Sequence, residues 1–448
     1  MNMHMNRRNM MKLAALGGTA GVLNAVTKHG EAMAATYEKG TNGLKPLKIT
    51  DVKVFLTIPH DQNLVVVKIE TSEPGLFGYG CASYRRRPHL VAEAIERYLK
   101  PFLIGKDPDQ IEDLWQTTYN MSYWRNGSIF NNALSGMDQA LWDIKGKRAN
   151  MPVYQLLGGK VRFAVDCYAH ARGDDLETVE RNAKDLMQQG FRHIRIQLGG
   201  YGSENLSKEP DFKKHGFGAE GDISVDIRVY LEKLPELFAH IRQTCGKKIE
   251  LLHDIHERIN PVDAIHLIKQ LEEYDPFFVE DPFPPETHQR YFEMLRDQTS
   301  CPIAMGELFN NPTEWVSLIS NMMIDFIRVH VSHVGGLSVA RKISVLSEMF
   351  NVRTAWHGHG VSPVGHAANA HLDLAIPNFG IQEVVQFNDH TQEVFPGCPK
   401  IENGYMVVNE APGFGVDFDE KLSAKFPVAD EPLNWPPIRK NDGTAIRP

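Results

Sequence analysis

The chain has 448 residues, 42% of them apolar and 23% charged, with no low-complexity tract. That length accommodates a barrel of ~250 residues plus smaller domains. The formal net charge of −8 leaves no basic stripe to neutralise phosphates, which excludes nucleic acid as a general partner. Five cysteines, at 81, 167, 245, 301 and 398, are scattered and odd in number, so neither a disulfide framework nor a zinc site is expected.

Arg7 and Arg8 precede a moderately apolar stretch, LAALGGTAGVLNAV (13–26), and Ala32-Met33-Ala34 offers a small-x-small cleavage site. Residues 1–34 therefore read as a twin-arginine-type export signal, too short in its apolar part for a membrane span of ~20 residues. The expected destination is the periplasm or beyond. Three strand-like runs come next: LKITDVKVFLT (47–57), LVVVKIET (64–71) and LFGYGCA (76–82), with a turn at 71–75 between the last two. Arg85-Arg86-Arg87 is a short basic run that reads either as a solvated turn or as an anion contact. Helical patterns at about 87–100, 107–121 and 130–149 complete an α+β unit over 45–160.

From about 161 to 390 apolar strands alternate with amphipathic segments, the rhythm of a (β/α) barrel. Strands are expected near 163–169, 192–197, 249–254, 276–280, 302–306, 324–328, 352–356 and 379–383. Segment 198–224 is rich in Gly, Ser and charge and reads as a long loop, of the kind that forms a lid at a barrel mouth. After 390 the chain turns Pro- and Gly-rich and is expected to pack back on the N-terminal unit.

Three carboxylates stand at or just after barrel strand ends: Asp254 in IELLHDIH, Glu280 in PFFVED and Glu307 in PIAMGE. They lie about one strand plus one helix apart, which brings them to one mouth of the barrel from neighbouring strands. Hard oxygen ligands grouped in this way suit Mg²⁺. Strand alternation puts His256 on the same face as Asp254, where it is a candidate general acid or base. By the same rule Arg195 and Gln197 face inward together, as do Tyr168 and His170. Arg328 ends the sixth strand, where an unpaired cation is costly, so a carboxylate or the substrate is its expected partner. His357 follows the seventh strand and Glu383 ends the eighth. The collection suits proton abstraction next to a carboxylate. A dication stabilises the developing enediolate, and a histidine protonates a departing β-hydroxyl or returns the proton to carbon.

Stretches such as LLHDIHER (251–258), VEDPFPPE (279–286), MGELFNNP (305–312) and DFIRVHVSHVGG (325–336) resemble the enolase superfamily. Within its mandelate racemase/muconate lactonizing enzyme group, the similarity is closest to the mannonate dehydratase-like sugar-acid dehydratases and runs from about residue 47 to the C-terminus. The resemblance implies an α+β capping domain over a modified (β/α)₇β barrel, Mg²⁺ held by Asp254, Glu280 and Glu307, and His256 as acid/base. It implies substrate contacts at His170, Arg328, His357 and Glu383, and an Arg195/tyrosine dyad for which Tyr201 is the nearby tyrosine. The capping loop, where Arg85 stands, takes part in choosing the substrate in such proteins. The reaction implied is dehydration of an aldonate such as mannonate or gluconate, with a homo-oligomer as the expected assembly. A hydroxy-acid epimerase or racemase and a catalytically weak sugar-acid sensor are the alternatives.

Overall fold

The computed structural model describes residues 31–33, 40–41, 43–121, 123–199, 211–430 and 435–447. The leader reading of residues 1–34 lies outside the described residues except for 31–33, and Tyr201 lies outside them too. Strands β1 (Ile49–Thr57), β2 (Leu64–Thr71) and β3 (Phe77–Cys81) form an antiparallel meander in that order. The run Leu64-Val65-Val66-Val67 is apolar on both faces because both faces are covered. Val65, Val67 and Ile69 pack into the core of the capping unit, while Leu64 and Val66 join the barrel core. The helix Ser128–Ala149 lies on the first face. Glycines allow this close approach: a Cβ at Gly80 would lie 2.0 Å from the carbonyl oxygen of Gly136.

The barrel strands are β4 (Val165–Gly173), β5 (His193–Leu198), β7 (Glu250–Asp254), β8 (Phe278–Glu280), β9 (Ile303–Met305), β10 (Phe326–Ile327), β11 (Arg353–Thr354) and β12 (Gln382–Glu383). They pair in parallel in that sequence from β4 to β11. The ring closes where β12 pairs with β4 and Thr354 bridges Phe379. All eight expected strands are present, although the later ones are only two or three residues long. Tyr168, Leu252, Phe278, Ala304, Phe326, Ala355 and Ile381 fill the interior, one from each of several strands, so the barrel is a packed core below its mouth. Amphipathic helices such as Leu176–Gln188, Ile227–Cys245 and Leu337–Met349 cover the outside. Among the described residues no helix is long and apolar enough to cross a membrane.

The remaining strand of the middle region, β6 (Ile223–Val225), is not in the barrel. It corrects the reading of 198–224 as an uninterrupted loop, because that segment contains the helix Asp211–Lys214 and runs into β6. Three residues carry no usable periodicity of their own; β6 exists because a distant segment pairs with it. After a hairpin of β13 (Lys400–Glu402) and β14 (Tyr405–Val407), the chain returns to the capping sheet. There Phe418 packs on Phe55 and Tyr79 with ring centroids 5.2 and 5.7 Å apart, and Thr57 donates to the carbonyl of Ser423 at 3.1 Å. The chain then forms β15 (Ile438–Lys440) and β16 (Ala445–Ile446), with β15 parallel to β6.

Candidate active site

The C-terminal ends of the barrel strands bring the expected acidic residues into one network. Glu280, wholly buried at the end of β8, is held by the guanidinium groups of Arg195 and Arg328 and accepts a hydrogen bond from the Tyr168 hydroxyl at 3.1 Å. Arg195 also reaches Asp254 at 3.2 Å. Arg328, fully buried, donates to Asp281 and Glu307 at 3.2 Å each and to Glu383 at 2.8 Å. Its expected carboxylate partner is thus four carboxylates at once. His170 lies 2.9 Å from Glu383, and His357 lies 3.2 Å from Glu307.

His256 reaches the mouth by a different route from the one strand alternation implies. β7 ends at Asp254, and His256 and Glu257 adopt left-handed backbone conformations with φ of 55° and 61°. Non-glycine residues rarely adopt that region, and here the turn is pinned by the His256 N–H donating to Asp254 Oδ1 at 2.7 Å. The result is a cluster in which ligand atoms of Asp254, His256 and Glu307 lie within 4.8 Å of one another. His253 faces away from the barrel interior, bonded to the Tyr230 hydroxyl at 2.8 Å and to the Ile196 carbonyl.

Asp281 is a site residue that the strand-end rule missed, since it follows Glu280 by one position and φ of 43° turns it back into the network. There it accepts the Gly306 N–H at 3.0 Å. His359 was missed likewise; it stacks on His170 at 4.9 Å and forms a second cluster with His170 and Glu383. That second cluster is a poor cation site, because Arg172 and Arg195 point at His170 Nδ1 from 3.1 and 3.3 Å. Gln197 is buried as expected at the end of β5, and neither of its amide atoms has a hydrogen-bond partner among the described residues. Arg85, on the capping loop, is half-buried beside Gly360, and its buried Nε has no hydrogen-bond partner among the described residues.

Charge at the mouth is unbalanced. Asp254, Glu280, Asp281, Glu307 and Glu383 face the two guanidinium groups of Arg195 and Arg328. Burial pushes the carboxyls of Glu280 and Asp281 up, to about 7 and about 8, against the pull of Arg328. Burial also opposes ionisation of Glu307, but His357 and Arg328 outweigh it and hold that carboxyl well below its usual range. For His357, burial is outweighed by Glu307 and Glu383, and its pKa rises. Surplus hard oxygen donors in a buried setting are what a divalent cation such as Mg²⁺ requires, so the residues fit such an ion.

Residues 41–158 match the mandelate racemase/muconate lactonizing enzyme N-terminal domain, and residues 178–422 match the enolase C-terminal domain-like family. A capping unit over a barrel with acidic residues at strand ends therefore defines an enolase-superfamily enzyme. Members of the D-galactonate dehydratase family from Pantoea ananatis and Salmonella enteritidis are each 50% identical to the chain over 415 residues, covering 90% of it and 99% of the relative. The crystal structure of an enolase from Pantoea ananatis with bound D-gluconate and Mg is 50% identical, with a TM-score of 0.86, and covers 90% of this chain and 100% of its own. A putative mandelate racemase/muconate lactonizing enzyme from Labrenzia alexandrii is 28% identical with a TM-score of 0.75, covering 85% and 97%. The chain belongs to the D-galactonate dehydratase family, a sugar-acid dehydratase branch of the superfamily.

Proposed function

We propose that the protein is a Mg²⁺-dependent hydro-lyase that converts a six-carbon aldonate, such as gluconate or mannonate, to its 2-keto-3-deoxy acid. The observation that carries this reading is the excess of carboxylates over guanidinium groups at the barrel mouth, two of them, Asp254 and Glu307, clustered with His256. The 50% identical structure with D-gluconate and Mg supports the same class of substrate. Asp254, Glu280 and Glu307 would hold the ion, with Glu280 shared with Arg195 and Arg328. Bound there, Mg²⁺ would acidify the carbon next to the substrate carboxylate by drawing on its charge.

The chain's own groups do the rest. Arg328, His357 and Glu383 orient the carboxylate end and the neighbouring hydroxyl, and His170 holds Glu383 in place. The α-proton passes to a base, for which Tyr201, six residues after Arg195 in the sequence, is the proposed residue. His256 gives its proton to the β-hydroxyl, which leaves as water, and the resulting enol tautomerises to the 2-keto-3-deoxy acid. His357, whose pKa is raised, is the alternative acid. Incubation with Mg²⁺ and a panel of hexonates, pentonates and uronates, with assay for 2-keto-3-deoxy products, tests the proposal. Conversion of a hexonate supports it. Binding of hexonates without turnover or α-proton exchange in D₂O sinks it in favour of a sensor. We also propose export of the mature protein through the leader at 1–34, which fractionation of cells producing the full chain would check.

A further inference from the structure

The cavity above the carboxylates measures ≈ 310 Å³. Its inner side is made by Asp281, Glu307 and His256, members of the carboxylate and histidine network described above; its outer side includes Glu286, Trp435 and Arg447, which the proposed chemistry does not use. Trp435 and Arg447 arrive from the far C-terminal end of the chain. The hairpin of β15 and β16 that lies between them is clamped to β6 by the parallel pairs Ile438↔Ile223, Arg439↔Ser224 and Lys440↔Val225. Arg439 donates to Asp222 at 2.6 Å, and Asn441 donates to Asp226 at 3.0 Å. Trp435, three residues before the buried Ile438, is therefore held at the rim.

The indole of Trp435 meets the His256 ring near edge-on, with centroids 6.0 Å apart and planes at 66°. Its face carries the guanidinium of Arg86, 4.5 Å from the ring centroid, so it ties the capping loop to the proposed acid/base. Arg447 forms no ion pair among the described residues, although four carboxylates line the same cavity. An indole and a guanidinium lining one cavity with carboxylate acceptors are chemistry suited to a polyhydroxylated chain. The indole offers apolar surface to C–H groups, and the fork of N–H donors takes up hydroxyl oxygens.

We infer that Trp435 and Arg447 are specificity-determining residues that read the far half of the acid-sugar chain, which rests on the sugar-acid reading and extends it. The carboxylate end and the first reacting carbons are held at the inner side, and His256 acts on the β-hydroxyl. Trp435, on the outer side of His256, then covers the carbons beyond, and Arg447 hydrogen-bonds the terminal oxygens. Six-carbon acids reach this wall and four-carbon acids do not.

The test compares the full-length protein with Trp435→Ala, Trp435→Phe and Arg447→Gln in the presence of Mg²⁺. Calorimetric Kd values are measured for a hexonate and a tetronate, alongside turnover. Losing one such contact weakens binding about tenfold, so Trp435→Ala and Arg447→Gln are expected to raise the hexonate Kd about that much. The tetronate Kd should move by less than about twofold, which is less than RT in free energy, and Trp435→Phe should recover most of the hexonate affinity. Unchanged hexonate affinity in both variants overturns the inference, as does an equal loss for both acids. A wild-type protein that binds hexonate without turning it over leaves the Kd comparison decisive and counts against the dehydratase reading alone. One that binds no hexonate overturns both.

Discussion

Glu280→Gln separates two roles that one carboxylate is proposed to play. Glu280 is wholly buried and is the counter-ion shared by Arg195 and Arg328. Breaking one partner out of a buried ion pair costs ~3–5 kcal/mol, because the remaining charge is left uncompensated. Here Arg195 keeps Asp254, and Arg328 keeps Asp281, Glu307 and Glu383, while glutamine retains one acceptor oxygen. Burial, however, raises the Glu280 carboxyl to about 7, so the neutral glutamine matches the form that folding favours, and the expected change is small, within about 1 kcal/mol. For a domain of barrel size that corresponds to a change in Tm of no more than roughly 2–4 °C. Calorimetric melts in EDTA would show this directly. Repeated with Mg²⁺, wild type should gain stability through binding to the folded state, and the variant should gain much less. A fall in Tm of more than about 10 °C in EDTA would refute this balance between burial and the two guanidinium groups. Full turnover together with an undiminished Mg²⁺ shift would refute the ligand role.

His256→Asn should lower dehydration at least about 100-fold, the usual contribution of a positioned acid. The Mg²⁺-induced Tm shift and α-proton exchange in D₂O should persist, and an unchanged dehydration rate would move the acid role to His357. Asp138, buried and accepting the Ser338 N–H at 3.0 Å, is pushed by burial up to about 7. Folding thus favours its protonated form, and that stability is lost as pH rises from the ordinary carboxyl value to about 7. Between pH 5.5 and pH 8 wild type should lose about 2 kcal/mol from this group, and Asp138→Asn should remove that loss. Urea midpoints with the same pH slope in both proteins would contradict it. Gly80→Ala places a Cβ 2.0 Å from the Gly136 carbonyl oxygen and 2.7 Å from the Ala140 nitrogen. Because both are backbone atoms of one helix, the loss should be about 3 kcal/mol, read as a lower denaturation midpoint, and wild-type stability would refute the close approach.

Local pattern is enough for features whose cause is local. Eight short apolar segments at a strand-plus-helix period specify a closed parallel barrel, since each must be buried and each is followed by a helix. The same period places Asp254, Glu280 and Glu307 at one mouth, and burial alone demands partners for Arg328. The tertiary structure decided what depends on contacts distant in sequence or on backbone turns without a periodic signature. The left-handed turn after Asp254 aims His256, and φ of 43° at Asp281 adds a carboxylate that alternation points elsewhere. Glu280 is held between Arg195 and Arg328, which come from strands far apart in the chain. β6 forms only against β15, more than two hundred residues later. That pairing carries Trp435 and Arg447 to the cavity, because backbone hydrogen bonds between strands are blind to sequence while the side chains they deliver are not.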